Sequence, residues 1–188
     1  ELHQGGFYRF SYDITELLNL GKKNQLEVKV AKESANRSIN AAERKADWWL
    51  FGGIYRPVWL EVLPQIHMKH FVLGADHKGK FQASIDMEGD AKGHEIVVSV
   101  RSLKDGKTVY TSNGQTTITH PINNSGKEQM ISGEWTNIVP WSTEAPNLYV
   151  VKLELKNPEG KIVQTRETRI GFRTVEFFPQ DGVYLNGT

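Results

Sequence analysis

Residues 148–175 read LYVVKLELKNPEGKIVQTRETRIGFRTV, and the alternation of side chains in this stretch decides the fold. Apolar residues recur with a period of two in the runs 148–156 and 161–175, which flank Glu159-Gly160. This period is typical of β-strands that bury one face. A residue that tolerates positive φ, followed by glycine, favours a two-residue hairpin turn. We therefore predict two antiparallel strands here, and a second hairpin of the same kind at Asp105-Gly106.

The same alternation extends back to Pro64 in short runs that are separated by Gly, Asn, Asp and Pro. Seven or eight strands at this spacing are typical of an immunoglobulin-like β-sandwich. Trp135, Trp141 and Tyr149 are expected to lie in the core of that sandwich. The other predicted strands cover residues 66–73, 80–87, 95–103, 107–112, 115–122 and 128–135.

Residues 1–64 show a weaker form of the same pattern. Strands are predicted at 8–14, 26–30 and 54–62, one short helical turn is predicted after Thr15, and residues 31–46 form a long polar loop. Three or four strands are too few to close a sandwich. We therefore expect the chain to begin inside a domain, and the hairpin-like residues after Phe177 to be cut short.

Composition limits the classes of function. The 188 residues carry 23 Lys and Arg against 22 Asp and Glu, so charge gives no reason to expect a nucleic acid or a membrane as partner. With no cysteine, the chain has no disulfide, thiol nucleophile or zinc–thiolate site. The absence of cysteine leaves both a cytoplasmic and a periplasmic location open.

The stretch 47–56, DWWLFGGIYR, is the strongest candidate for chemistry. Sugar rings stack on aromatic faces while nearby carboxylates accept hydrogen bonds from their hydroxyls, which would suit Trp48 and Asp47. The alternative interpretation is that the aromatics fill a core or an interface and that Asp47 ends a loop. Arg56 is interpreted as half of a structural ion pair.

Other candidate chemistry is weaker. A glycosidase needs two carboxyls about 5 Å or about 6.5 to 9.5 Å apart, and nothing in the sequence marks such a pair. His67 and His70 stand three apart, which in a strand places them on opposite faces and prevents them from closing on one metal ion. We predict no catalytic residue, no metal ligand and no cofactor site in this chain.

Several motifs together resemble glycoside hydrolase family 2, the β-galactosidase, β-glucuronidase and β-mannosidase group. They occur in the family's order and span nearly the whole chain. The motifs are His3-Gln4-Gly5-Gly6-Phe7, Asp13-Ile14-Thr15, Asn24-Gln25-Leu26-Glu27-Val28, Asp47-Trp48-Trp49, Gly53-Ile54-Tyr55-Arg56-Pro57-Val58-Trp59-Leu60, Trp141-Ser142, Pro146-Asn147-Leu148-Tyr149, Gly171-Phe172-Arg173-Thr174-Val175-Glu176 and Leu185-Asn186-Gly187.

The resemblance implies an all-β chain in three parts. Residues 1–64 would be the C-terminal half of a jelly-roll sugar-binding domain, and residues 65–178 an immunoglobulin-like β-sandwich. Residues 179–188 would begin the lead into a catalytic (β/α)₈ barrel that this sequence lacks.

The resemblance also implies a function. The parent would be a retaining exo-glycosidase of β-galactosidase type acting on a terminal β-linked sugar, with its two catalytic glutamates in the barrel. The chain alone would be inactive and would support that barrel. Asp47 stands where the family's jelly roll lends an aspartate to the sugar site, and we assign Asp47 and Trp48 to substrate binding.

Two other classes of function stay open. A free-standing carbohydrate-binding module would expose Trp48 and Trp49 as a stacking platform. A structural or adhesive sandwich would recognise protein through a sheet edge.

Overall fold

The computed structural model describes residues 2–45, 52–124 and 126–188. The chain forms two compact units, Glu1–Leu60 and Glu61–Thr188. Every strand in the described residues belongs to the second unit. The prediction of an all-β chain with an immunoglobulin-like sandwich is confirmed, whereas the domain limits at residues 64 and 178 stay a prediction.

The second unit is a sandwich of seven strands followed by a two-stranded hairpin. Strands β1, β2 and β5 form one sheet in the order β1-β2-β5, and the other four form the second sheet in the order β4-β3-β6-β7, all antiparallel. The strands are β1 His67–Ala75, β2 Lys80–Glu88, β3 Glu95–Ser102, β4 Thr117–Pro121, β5 Glu128–Glu134, β6 Tyr149–Lys156, β7 Ile162–Ile170, β8 Val175–Phe178 and β9 Gly182–Leu185.

The core lies between the two sheets, as the alternation of side chains predicts. Phe81, Ala83, Ile85 and Met87 on β2 are at most 2% exposed, and the residues between them are exposed or half-buried. Trp135 is 0% exposed, which confirms its predicted place. Burying one face of each strand in this way is the main favourable contribution to the stability of the sandwich.

The predicted hairpin at Glu159-Gly160 is present, but its loop is longer than predicted. The N–H of Asn157 donates to the Lys161 carbonyl (2.9 Å), and Gly160 has a φ of +76°. A three-residue loop with a left-handed glycine at its end is the other common way to join two antiparallel strands. The two-residue hairpin predicted at Asp105-Gly106 is also wrong in length, because the N–H of Ser102 donates to the Lys107 carbonyl (2.8 Å) across a four-residue loop with a φ of +72° at Gly106.

Two predicted strands differ from the structure. Residues 107–112 make only single bridges, from Thr108 to Arg101 on one sheet and from Thr111 to Trp135 beside the other. A segment that crosses between sheets cannot pair continuously with either. The run 161–175 is interrupted at residues 171–174, where the Phe172 carbonyl accepts from Trp141 instead of from a neighbouring strand.

A buried amide joins the edges of the two sheets. Gln164 on β7 is 8% exposed, and its side-chain oxygen accepts from the N–H of Met68 on β1 (2.6 Å) while its amide nitrogen faces the Met68 carbonyl (3.4 Å). The side chain thus replaces a strand partner at a place where β1 has a bulge between Met68 and His70.

The first unit contains helices but no strand in its described residues. A 3-10 helix spans Thr15–Leu17, in agreement with the predicted turn, and helix α1 spans Arg37–Arg44 inside the segment predicted as a loop. The Asn36 side chain caps α1 by accepting from the N–H groups of Ser38 and Ile39.

The strands predicted at 8–14, 26–30 and 54–62 are wrong as strands. No described residue of the first unit is buried, and Tyr8 and Leu60 are 82% and 75% exposed. An alternating run becomes a strand only when a neighbour completes its hydrogen bonds and covers its apolar face. These runs pair with no other described segment.

Candidate functional site

The predicted sugar-binding residues, Asp47 and Trp48, fall outside the described residues, so their role stays a prediction. The described residues resume at Gly52. Gly53 has a φ of +96°, a backbone conformation that favours glycine. Beyond it, the Arg56 guanidinium carbon lies 5.4 Å from the centroid of the Tyr55 ring. Among the described residues this cation–π contact takes the place of the ion pair predicted for Arg56.

Three of the family-like motifs of the second unit meet at one place, which we call the C-terminal junction: Trp141, residues 171–174 and Asn186. The Asn186 carboxamide oxygen accepts from the N–H of Thr174 (3.0 Å), and its nitrogen donates to the Trp141 carbonyl (2.9 Å). The Asn186 N–H also donates to the Thr174 carbonyl (2.8 Å). Asn186 has a φ of +56°, which asparagine tolerates better than most side chains. One side chain therefore holds three segments of the chain together.

Close packing adds to the C-terminal junction. A Cβ on Gly171 would lie 2.8 Å from the Trp141 Cβ, so only glycine fits against this ring. The Arg173 guanidinium carbon sits 4.8 Å from the Trp141 ring centroid on the same indole. Trp141 is predicted to lie in the core of the sandwich, but it is half-buried and lies outside the core cluster. Tyr149 lies in that cluster, as predicted.

The turn between β1 and β2 also reaches the C-terminal junction. His77 Nδ1 lies 2.7 Å from the Thr174 hydroxyl, and the N–H of Arg173 donates to the Ala75 carbonyl (3.3 Å). These bonds fix the direction in which the chain leaves the sandwich and enters β8.

The β8–β9 hairpin that follows the junction exposes large apolar side chains. Val175 pairs with Leu185 and Phe177 with Val183, which places all four on one face. Phe177 is 75% exposed and Val183 is 63% exposed. An isolated two-stranded hairpin is at best marginally stable in water, so the C-terminal junction is what holds this one in place.

The acidic groups with displaced pKa values do not form an acid–base pair. The Ser102 hydroxyl, followed by Lys107, lowers the pKa of Asp105 to about 2. Hydrogen bonds from Lys69 and from Thr143 lower the pKa of Glu88 and of Glu144, respectively. A general acid at neutral pH needs a raised pKa, which is the opposite direction. These carboxylates stay ionised.

The histidines considered for metal binding have other surroundings. His67 Nδ1 lies 2.8 Å from the Pro64 carbonyl, and His70 is exposed. The prediction that the two histidines lie on opposite faces is wrong, because the bulge between Met68 and His70 pairs them with Glu88 and Asp86 on one face of the sheet. Within residues 2–45, 52–124 and 126–188, no group of three or more His, Cys, Asp and Glu side chains is arranged to hold a metal ion. None of the helices in these ranges is long and apolar enough to cross a membrane.

Comparison with known proteins shows one family. Residues 66–173 match the model of glycosyl hydrolases family 2. The chain is 30% identical to a β-galactosidase of Thermoanaerobacter pseudethanolicus over 98% of its own length and 24% of that protein. It also resembles the solved structure of β-glucuronidase 2 of Bacteroides uniformis, with a TM-score of 0.63 and 26% identity over 93% of this chain and 22% of that one. The chain spans between 16% and 24% of the length of three curated relatives that it matches.

Proposed function

The chain belongs to glycosyl hydrolases family 2, and from that premise we propose that it is the non-catalytic N-terminal region of a β-galactosidase-type exo-glycosidase. In this proposal the parent polypeptide is a retaining enzyme whose catalytic glutamates lie in a barrel beyond the present chain. The chain supports that barrel and contributes part of the site for a terminal β-linked sugar.

The observation that carries the proposal is the C-terminal junction together with the hairpin it holds. The junction fixes the β8–β9 hairpin through hydrogen bonds to Asn186 and Thr174, while Phe177 and Val183 on the hairpin stay largely exposed. Exposed apolar patches are typical of surfaces that another domain covers. A spacer that presents one uncovered apolar face at a fixed exit point suits support of a barrel.

In this proposal Asp47 is the residue through which the chain takes part in sugar binding. A carboxylate that accepts hydroxyl hydrogen bonds in a poorly hydrated site contributes about 1.5–3 kcal/mol. Trp48 would give the sugar an apolar face and exclude water from that contact.

The first test compares the chain with its parent polypeptide on nitrophenyl β-galactoside. We expect no hydrolysis by residues 1–188 alone and hydrolysis by the parent. In the parent, Asp47→Ala should lower kcat/KM by about 10- to 150-fold, the equivalent of one charged hydrogen bond. Asp105→Ala is the matched control, because Asp105 is an exposed loop aspartate. An Asp47→Ala parent with wild-type kinetics would refute the site assignment.

The second test concerns the hairpin. In the chain alone, Phe177→Ser should change the free energy of unfolding by less than about 0.5 kcal/mol, because Phe177 is 75% exposed. In the parent, the same change should cost about 1.5–3 kcal/mol, since a covered phenylalanine loses its burial. Val139→Ser, at an apolar residue outside the hairpin that is 57% exposed, should be nearly neutral in both. Equal effects of Phe177→Ser in the two proteins would contradict the supporting role.

A second candidate is a β-glucuronidase parent. The likeness to the solved Bacteroides uniformis β-glucuronidase favours it, because that structure aligns with 93% of the chain. Nitrophenyl β-glucuronide and nitrophenyl β-galactoside, assayed side by side on the parent, distinguish the two. A higher kcat/KM for the glucuronide would replace the galactosidase proposal and leave the supporting role intact.

A further inference from the structure

The outward faces of the two sheets of the sandwich differ in how their charges are arranged. The face of β4-β3-β6-β7 carries cross-strand and same-strand ion pairs that neutralise one another. These pairs are Arg101 with Glu167 (3.6 Å), Lys156 with Glu95 (3.3 Å) and Lys152 with Glu154. Pairs of opposite charge such as these leave no single sign of charge uncompensated on that face.

The outward face of β1-β2-β5 is built from rows that run across its three strands, and we call it the three-row face. The register places His70, Asp86 and Glu128 side by side in one row. The next row holds Val72, Ser84 and Met130, and the row after it holds Gly74, Gln82 and Ser132.

The first row places two carboxylates, Asp86 and Glu128, beside the exposed His70, while the nearby Lys69 is paired with Glu88 (2.8 Å). Asp86 and Glu128 lie directly opposite each other on β2 and β5, where two like charges repel. Among the described residues, no basic side chain is within ion-pairing distance of either carboxylate, although the Ser84 hydroxyl donates to Glu128 (2.6 Å). A guanidinium or ammonium group placed between them would relieve the repulsion.

The second row is apolar at both ends. Val72 is 60% exposed and Met130 is 59% exposed, with the small Ser84 between them. Single exposed apolar residues are ordinary. These two differ because they lie in one row beside the acidic pair, and because Gly74 and Ser132 in the third row leave room for a bulky group. Methionine also adapts to irregular partner surfaces.

We propose that the three-row face is a docking surface for an extended protein segment that presents an arginine followed, two residues later, by a large aliphatic side chain. Alternate side chains of an extended segment are about 7 Å apart, as are successive rows of a sheet face. The arginine then bridges Asp86 and Glu128 while the aliphatic side chain covers Val72 and Met130. The inference stands independently of the glycosidase proposal.

Methionine methyl groups offer a direct readout. The chain has three methionines, of which Met68 and Met87 are at most 2% exposed and Met130 is 59% exposed. In the full chain labelled with ¹³C at the methionine methyls, the synthetic peptide Gly-Thr-Arg-Thr-Leu-Thr-Gly should shift the Met130 signal. The Met68 and Met87 signals should stay in place. A dissociation constant on the order of 1 mM is expected for one charged contact and one aliphatic side chain.

Matched peptides and variants separate the charged and apolar contributions. Replacing Arg by Glu, or Leu by Asn, in the peptide should abolish the shift. Asp86→Asn combined with Glu128→Gln should weaken binding about tenfold or more. Glu95→Gln combined with Glu167→Gln, on the opposite outward face, should leave the affinity unchanged.

Three results would refute the proposal. They are a Met130 signal that the peptide leaves unmoved, an equal response to the peptide with Glu in place of Arg, and full affinity in the Asp86 and Glu128 double variant. A Met130 signal that moves with protein concentration, without peptide, would instead identify a second copy of the chain as the occupant and would also overturn it.

Discussion

Replacement of Gly79 by alanine should destabilise the sandwich far more than its position in a turn suggests. Gly79 has a φ of +97°, and a Cβ there would lie 2.0 Å from the carbonyl oxygen of the fully buried Trp135. The Gly79 carbonyl also accepts from the Trp135 N–H (2.8 Å), so the two backbones cannot separate without losing that bond. Left-handed backbone costs about 1–2 kcal/mol and overpacking about 1–3 kcal/mol, which together give roughly 2–5 kcal/mol.

Urea unfolding followed by far-ultraviolet circular dichroism measures this cost, because every strand of the described residues lies in the second unit. With a slope of about 2 kcal/mol per molar urea, the midpoint should fall by about 1–2.5 M. Gly160→Ala is the matched control, since Gly160 has a φ of +76° but no neighbouring atom within 4 Å of the added Cβ. It should lose only the backbone contribution of about 1–2 kcal/mol. If the two variants agree within about 0.5 kcal/mol, the contact with Trp135 contributes nothing and the reasoning is refuted.

Two further predictions concern polar groups. Gln164→Leu should lower the free energy of unfolding by about 2–4 kcal/mol in the same assay, because the buried N–H and carbonyl of Met68 then lack the Gln164 amide as partner. A loss below about 1 kcal/mol would mean that water replaces the amide. Asp105, with its pKa lowered to about 2, contributes stability that is fully present above about pH 4 and is lost as the pH falls through about 2. The NMR resonance of the Asp105 carboxyl should titrate with a midpoint near pH 2. In Ser102→Ala this midpoint should move towards the ordinary aspartate range, because the Ser102 hydroxyl is the largest cause of the lowered pKa. A wild-type midpoint near pH 4 would contradict this.

The sandwich could be predicted from sequence because alternation and glycine turns are local signals. The runs around β6 and β7 flank a turn glycine, and the register that follows puts Leu153 and Leu155 into the core at 0% exposure. What the alternation could not show is where a strand changes its neighbour. Residues 107–112 alternate, but they cross between the two sheets and make only one bridge on each side.

In the first unit, alternation of side chains predicts strands that the structure does not contain in its described residues. Its alternating runs predict strands, yet pairing depends on a partner that a run's own sequence does not specify. The mostly polar composition of residues 31–46 indicates a loop rather than helix α1, although Asn36 as a capping residue and the pair Ala41-Ala42 are signals of a helix. The C-terminal junction was identified only as motifs, and its geometry depends on contacts between residues up to about a hundred positions apart, such as His77 with Thr174.

The bonds of Asn186 also imply an order of events during folding. The side chain needs the Trp141 carbonyl and the Thr174 N–H to be already in place, and both belong to segments positioned by the assembled sheets. Closing such distant contacts is slow compared with forming a local turn. The β8–β9 hairpin should therefore attach last and detach first, so that amide hydrogens in β8 exchange with solvent earlier than those in β6.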